Sequence, residues 1–288
     1  MSPLTTSGVR QLTLADLQRL WPRPQPDADK YSRGVLGVDT GSARYPGAAV
    51  LSVLAALNAG PGFIRFVGAA KARPALLTRT PSVTFGLGQV QAWVVGSGWD
   101  EVEFNTARML RACAAGVPLV VDAGALWVMP STLPSDSLLT PHMGELARLL
   151  SVERAEVAAH PLEYAGEAAR RFGASVLVKG PAQFCVGADG TAWAAIMGPA
   201  WSAQAGSGDV LAGIAGTLLA SGVEATLAGA LAASLQAVAA ASHPGPLPPD
   251  RLAQTLPALI GSFDEALARP TLRPSLGEAV SADVATQV

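Results

Sequence analysis

Residues 34–67 read GVLGVDTGSARYPGAAVLSVLAALNAGPGFIRFV, and this stretch decides the fold. Val35–Val38 is a short apolar run that predicts a strand, and Phe63–Val67 predicts a second. Gly47–Asn58, between them, predicts a helix. Strand, helix and strand form a crossover unit, which sets its two strands parallel. The alternation continues downstream. Strands are predicted at Val83–Phe85, Ala92–Val95, Pro118–Asp122, Ser137–Leu139 and Ser175–Val178, and helices at Asp100–Ala115, Gly144–Leu150 and Leu162–Phe172. Gln183–Gly187 and Thr191–Ile196 flank Asp189-Gly190, a strong hairpin turn. Val210–Ala220 and Glu224–Ala241 close the pattern as helices. Pro118–Val121 and Val176–Val178 are continuous apolar runs, as strands covered on both faces are. The expectation is an α/β fold with a mostly parallel central sheet and helices on both faces.

Outside this unit the chain is simpler. Thr13-Leu14-Ala15-Asp16 predicts a capped helix start, the helix ends at Trp21-Pro22, and Pro22, Pro24 and Pro26 make a stiff connector. The organisation expected is a leader over residues 1–30, one α/β domain over 31–265, and a loose tail over 266–288 that lacks periodicity. The chain has 288 residues, half of them apolar and 15% charged, which suits a globular protein with a full core. A net charge of −2 offers no electrostatic attraction to nucleic acid or an anionic membrane. Cys113 and Cys185 are too few for a disulfide framework or a zinc site, and the N-terminus lacks the pattern of a signal peptide. A cytoplasmic location is expected. Ala225–Ala241 is mainly alanine, broken by Ser234 and Gln236, and falls short of a membrane span.

Five segments carry ligand-friendly chemistry. Gly206-Ser207-Gly208-Asp209 places two glycines at a helix start, where converging amides and the helix dipole suit a phosphate or a developing oxyanion. A carboxylate at that point is placed to take a proton from a reacting hydroxyl. The same tetrapeptide equally suits a tight turn with Ser207 or Asp209 as a helix cap. Thr140-Pro141-His142-Met143-Gly144-Glu145 ends a strand; His142 can donate to an amide or phosphate, and Glu145 can cap the helix or sit near a metal. Lys179 follows a buried strand in Val178-Lys179-Gly180-Pro181, where a phosphate or only solvent could meet it. Gly41–Ala49 and Gly96-Ser97-Gly98 expose backbone in the same way. All five read as strand-to-helix junctions, which share one edge of a parallel sheet, where ligands bind. A phosphate-binding GxxxxGK[ST] loop, a GxGxxG dinucleotide turn and a serine-nucleophile elbow are missing, and His142, His160 and His243 are scattered.

In order, GSARYPGAAVLSVLAALNAGPGF, AWVVGSG, VPLVVDAGAL, LLTPHMGELARLL, VLVKG and AGSGDVLAGIAG resemble the ADP/ATP-dependent NAD(P)H-hydrate dehydratases of the ribokinase-like superfamily. The resemblance implies a three-layer ribokinase-like fold. It also implies dehydration of the S epimer of NAD(P)H hydrate, with the hydrate hydroxyl phosphorylated and the phosphate then eliminated. By the same resemblance Asp209 is the base, Gly206, Ser207 and Gly208 form the anion hole, and Ala48, Gly98, His142 and Asp209 contact the hydrate. Lys179, Gly180, Pro181, Ala182, Gln183 and Gly208 would contact ADP or ATP, with Mg²⁺ arriving on the nucleotide. A homo-oligomer, commonly a tetramer, and a separate epimerase are implied as well, with the alanine-rich helices available for an oligomer interface. The chain departs from the family pattern at Gly124, where many members carry Asp, at Ser97 within Gly96-Ser97-Gly98, and at Gly198-Pro199-Ala200-Trp201. Two competing readings are a small-molecule kinase on the same fold and a silent nucleotide-binding protein.

Overall fold

A computed structural model describes residues 8–100 and 105–268. Strand β1 (Arg10–Gln11) precedes helix α1 (Leu14–Leu20), which Thr13 and Asp16 cap reciprocally, as the sequence predicts. The first crossover is β2 (Val35–Asp39), α2 (Pro46–Ala59) and β3 (Phe63–Phe66). Next come α3 (Arg73–Arg79), β4 (Thr84–Phe85), β5 (Ala92–Val95), α4 (Asn105–Ala114), β6 (Leu119–Val121) and β7 (Leu138–Leu139). Helices α5 (Met143–Leu150), α6 (Arg154–Ala159) and α7 (Pro161–Phe172) lead to β8 (Ser175–Val178). The hairpin β9 (Phe184–Val186) and β10 (Ala192–Ala194) follows, then α8 (Ser207–Ala220), α9 (Ala225–Ala241) and α10 (Pro249–Ala268).

The strands form one sheet in the order β1-β10-β9-β8-β7-β6-β5-β2-β3-β4. Every pairing is parallel except those of β9 with β8 and β10. From β2 the chain builds outward through β3 and β4, then returns to the other side of β2 and continues through β5 to β8. The reversal between β2 and β5 is a topological switch point, where the departing loops leave a cleft beyond the strand ends. Alternate side chains feed two cores. Leu36, Val38 and Val94 pack with α2, α8, α9 and α10 on one face, while Val35, Trp93, Val95 and Val121 pack with α4 to α7 on the other.

Several expectations change. Helix α8 begins at Ser207, three residues before Val210, because Gly206 turns the chain in a left-handed conformation (φ 95°). Asp209 therefore lies in the first turn of the helix. The chain does not close with α9: α10 follows and runs through Ala268, three residues into the segment read as tail. Its prolines at 249 and 257 obscure it in the sequence, since an interior proline lacks the helical N–H. Residues 269–288 and 101–104, the latter inside the helix expected over Asp100–Ala115, lie outside the described residues. The alanine-rich helices are buried within the chain rather than offered to an oligomer interface: Val210–Ala220 of α8 are all covered. Close approach is the reason, since a Cβ at Gly213 would stand 2.2 Å from the Ser52 carbonyl oxygen of α2.

Candidate active site

Strands β2, β5, β6, β7 and β8 run parallel, so Asp39, Gly96, Asp122, Thr140 and Lys179 emerge along one edge. The five segments do not all join a strand to a helix, however. Lys179 leads into the β9 hairpin, and the Gly206 turn follows a short 3₁₀ turn at Ala200–Ser202. The shared edge still brings these segments together.

Asp122 is the centre of the polar network. Its carboxylate accepts hydrogen bonds from Lys179 Nζ at 2.8 Å, Thr140 Oγ1 at 2.8 Å and Ser97 Oγ at 2.8 Å, and the residue is buried. Lys179 extends from this anchor over the start of α8, where a Cβ on Gly208 would stand 3.4 Å from its Nζ. Burial pulls the Lys179 pKa down, but the charges of Asp122, Glu145 and Asp209 outweigh it and hold the ammonium above its ordinary value. Asp209, one residue beyond Gly208, has its pKa pushed up to about 7 by burial and then by the charge of Asp122, with Lys179 opposing. A carboxyl of that strength can exchange a proton near neutral pH.

The helix start itself is open. Neither Ser207 nor Asp209 makes a side-chain capping bond to α8, so the capping alternative for this turn is not realised. One of the three predicted anion-hole amides is committed elsewhere, because Ser207 N donates to Gln204 O at 3.1 Å. Beside this turn lies a cavity of about 550 Å³, lined by Lys179, Gly180, Pro181, Gln183, Ser207 and Gly208 among others. Ala182 does not line it. Across the cavity the departing segment contributes Gly198, Pro199 and Ala200, while Trp201 is exposed to solvent.

His142 plays two parts. It caps α5, with Nδ1 accepting from the amides of Gly144 and Glu145 at 3.1 Å each, while Glu145 returns the bond to His142 N at 2.8 Å. That assigns the neutral ring proton to Nε2, and an isolated bridge pairs His142 with Lys179. Ala48 and Gly98 meet directly: a Cβ on Gly98 would stand 2.4 Å from Ala48 Cβ, so the two small residues bring α2 onto the β5 loop. Ser97 joins this pair to Asp122, and Leu51 of α2 lies against Gly206. The structure thus collects Ala48, Gly98, His142, Lys179, Gly208 and Asp209 around one corner.

Ser97 and Thr140 lie in segments singled out from the sequence but are given no side-chain role there, and Asp122 is not a candidate, nor is Gln236, whose side chain donates to Ser207 O at 2.7 Å and lines the cavity. The signal for Gln236 was present. Ser234 and Gln236 break the alanine run of α9, and Ser234 Oγ accepts from Ile196 N at 3.0 Å. A polar residue inside a helix buried all round needs a partner. At Gly124 the departure has a steric reason, since a Cβ there would stand 2.7 Å from Trp99 Cβ and 2.8 Å from its carbonyl oxygen. Trp99 in turn donates its Nε1–H to Asp39 O at 2.9 Å and lies under the Arg108 guanidinium. Among the described residues no group of three His, Cys, Asp or Glu side chains could hold a metal ion.

A switch-point cleft, an uncapped glycine-led helix start and a lysine held over it are features of an α/β protein that suit a phosphate group. A sequence profile of the NAD(P)H-hydrate dehydratases matches residues 36–257, and the chain belongs to that family. An ADP-dependent (S)-NAD(P)H-hydrate dehydratase of Xanthomonas campestris is 35% identical over 212 residues, covering 66% of this chain and 73% of its own. A ribokinase-like superfamily protein of Enterococcus faecalis superposes with a TM-score of 0.81 at 21% identity, over 91% of this chain and 99% of the other, which makes the fold ribokinase-like. The ADP/ATP-dependent NAD(P)H-hydrate dehydratase of Bacillus subtilis, crystallised with ATP and Mg²⁺, gives a TM-score of 0.79 at 25% identity over 88% and 99% of the two chains. The match to bifunctional NAD(P)H-hydrate repair enzymes, as in Mycobacterium tuberculosis, spans only 39% of their length.

Proposed function

We propose that this chain removes water from the S epimer of NAD(P)H hydrate at the expense of ADP, restoring the reduced nicotinamide. The observation that carries this reading is Asp209, a buried carboxyl in the first turn of α8 with its pKa pushed up to about 7, next in the chain to Gly208, over which the Lys179 ammonium is held. In this scheme the hydrate hydroxyl attacks the terminal phosphorus of ADP and gives its proton to Asp209. AMP leaves, while Lys179 and the open amides of α8 stabilise the transferring phosphoryl group. Loss of phosphate, with a proton from the adjoining ring carbon, then restores the double bond. Hydroxide is a poor leaving group and phosphate a good one, so the transfer makes the elimination accessible.

The cavity beside Lys179, Gly180, Pro181, Gln183 and Gly208 is the proposed nucleotide site, and Ala48, Gly98 and His142 the proposed hydrate side. Mg²⁺ takes oxygen ligands, and the Asp122 oxygens are already engaged by Lys179, Thr140 and Ser97. A protein-only magnesium site therefore does not fit, and the ion would enter on the nucleotide phosphates. A cytoplasmic homo-oligomer working beside a separate epimerase remains part of the proposal. No helix among the described residues is long and apolar enough to cross a membrane.

The test is incubation with NADPH hydrate, Mg²⁺ and either ADP or ATP, following the return of reduced-nicotinamide absorbance. Recovery is expected with both and faster with ADP. A stable phosphorylated product with no recovery would overturn the dehydratase in favour of a kinase.

A further inference from the structure

We propose that Asp122 is a positioning residue for the transfer reaction, holding the Lys179 ammonium over the first turn of α8, where the phosphoryl group and Asp209 meet. The inference rests on the phosphoryl-transfer reading above, but its geometry stands independently. Lys179 has four flexible side-chain carbons and would otherwise sample the cleft freely. Its ion pair with Asp122 at 2.8 Å is within the buried network, and Thr140 and Ser97 fix the carboxylate from two other strand ends. Three strands thus aim one ammonium at Gly208.

After burial, the charge that most raises the Asp209 pKa is that of Asp122. Helices α2 and α9 and strands β5 and β6 pack on α8 and contain no ionisable side chain. Strand β2 offers Asp39, which is paired with Arg108 and Arg111. From α10, Asp250 pairs with Arg79 at 3.6 Å, Asp264 pairs with Arg23 at 2.5 Å, and Arg251 donates to Gln254 at 3.3 Å. Glu145 and His142 face Lys179 from α5 and its cap. Asp122 and Lys179 are left as the opposing charges that act on Asp209. Replacing Asp122 by Asn removes the like charge and the fixed partner of the ammonium, leaving Glu145 and Asp209 as the carboxyls it can turn to, so the Asp209 pKa should fall.

The experiment compares the unmodified chain with Asp122→Asn and Asp122→Glu by ¹³C NMR titration of the Asp209 carboxyl, identified by its loss in Asp209→Asn. Calorimetry with ADP and hydrate turnover against pH are measured on the same proteins. In Asp122→Asn the Asp209 midpoint should fall by about one unit. ADP affinity should fall about tenfold, and the acid limb of kcat/KM should move down with the titration. Asp122→Glu should restore the midpoint, because it restores the charge. An Asp209 midpoint and ADP affinity unmoved in a folded Asp122→Asn protein would overturn the proposal. If the midpoint and affinity move while no variant, nor the unmodified chain, turns over hydrate, the positioning role stands and the dehydratase reading fails.

Discussion

Two strands of the switch-point edge end in or at a buried aspartate, and the two are neutralised differently. Asp39, at the end of β2, meets two guanidiniums from α4, with Arg111 Nη2 at 2.5 Å from Oδ2 and Arg108 on Oδ1. Arg108 also stacks on Trp99 and donates to Gly41 O at 3.3 Å. That cluster ties the loops after β2 and β5 to α4. Asp122, just beyond β6, has one ammonium and two hydroxyls, with a third ionisable group, Asp209, near enough to feel its charge. A carboxylate held by two cations has little influence left on its neighbours. One sharing a single cation with a second carboxyl adds to the proton affinity that burial already raises there. The first arrangement ties the cleft's loops together, and the second leaves a carboxyl able to exchange a proton near neutral pH.

The largest effect should come from removing the reactive corner's own carboxyl. Asp209→Asn is expected to lower kcat about 1,000-fold, within the range for a general base, while ADP affinity measured by calorimetry stays within a few-fold. A near-normal rate would remove Asp209 as the base. At the other aspartate the effect should fall on folding instead. Asp39→Asn leaves two guanidiniums without their carboxylate and should cost about 3 kcal/mol in denaturant unfolding, with the acid limb of the pH–rate profile unmoved. A shifted limb would mean that the two aspartates are not separable.

The unmodified protein supplies the third check. The Asp209 pKa is raised to about 7, so its carboxylate form is lost as pH falls through that value. kcat/KM should rise with pH up to about 7 and level off above it, measured in buffers of constant ionic strength. For stability the sign is opposite. A carboxyl whose folded pKa lies above its unfolded value favours folding when protonated, and that contribution fades as pH rises from the unfolded value through about 7. The smallest effect is expected at Gly124→Asp, which must displace Trp99 and loosen its bond to Asp39 O. A cost of about 2 kcal/mol, read from the unfolding midpoint, is expected. An unchanged midpoint would show that the cleft can accommodate an acidic residue at this position.

The βαβ alternation was legible because each buried strand is a short apolar run and each crossover helix a longer one, a difference that needs no partner to be seen. Gly206 and Asp209 were legible because two glycines at a helix start are a local device. Ser97, Asp122, Thr140 and Lys179 are distant in sequence, and only the parallel order of β5, β6, β7 and β8 makes them neighbours. Residues 207–209 as helix rather than turn, α10 through its prolines, and Gly124 under Trp99 were likewise hidden, since each depends on what packs against it.

The sequence by itself therefore determined the layered α/β architecture, the sheet edge that carries the candidate site and Asp209 as its candidate carboxyl, because periodicity and glycine turns are properties of neighbouring residues. The tertiary structure decided the strength of that carboxyl and the aim of Lys179. Desolvation and charge act through space, and they exist only once β6, β8 and α8 converge.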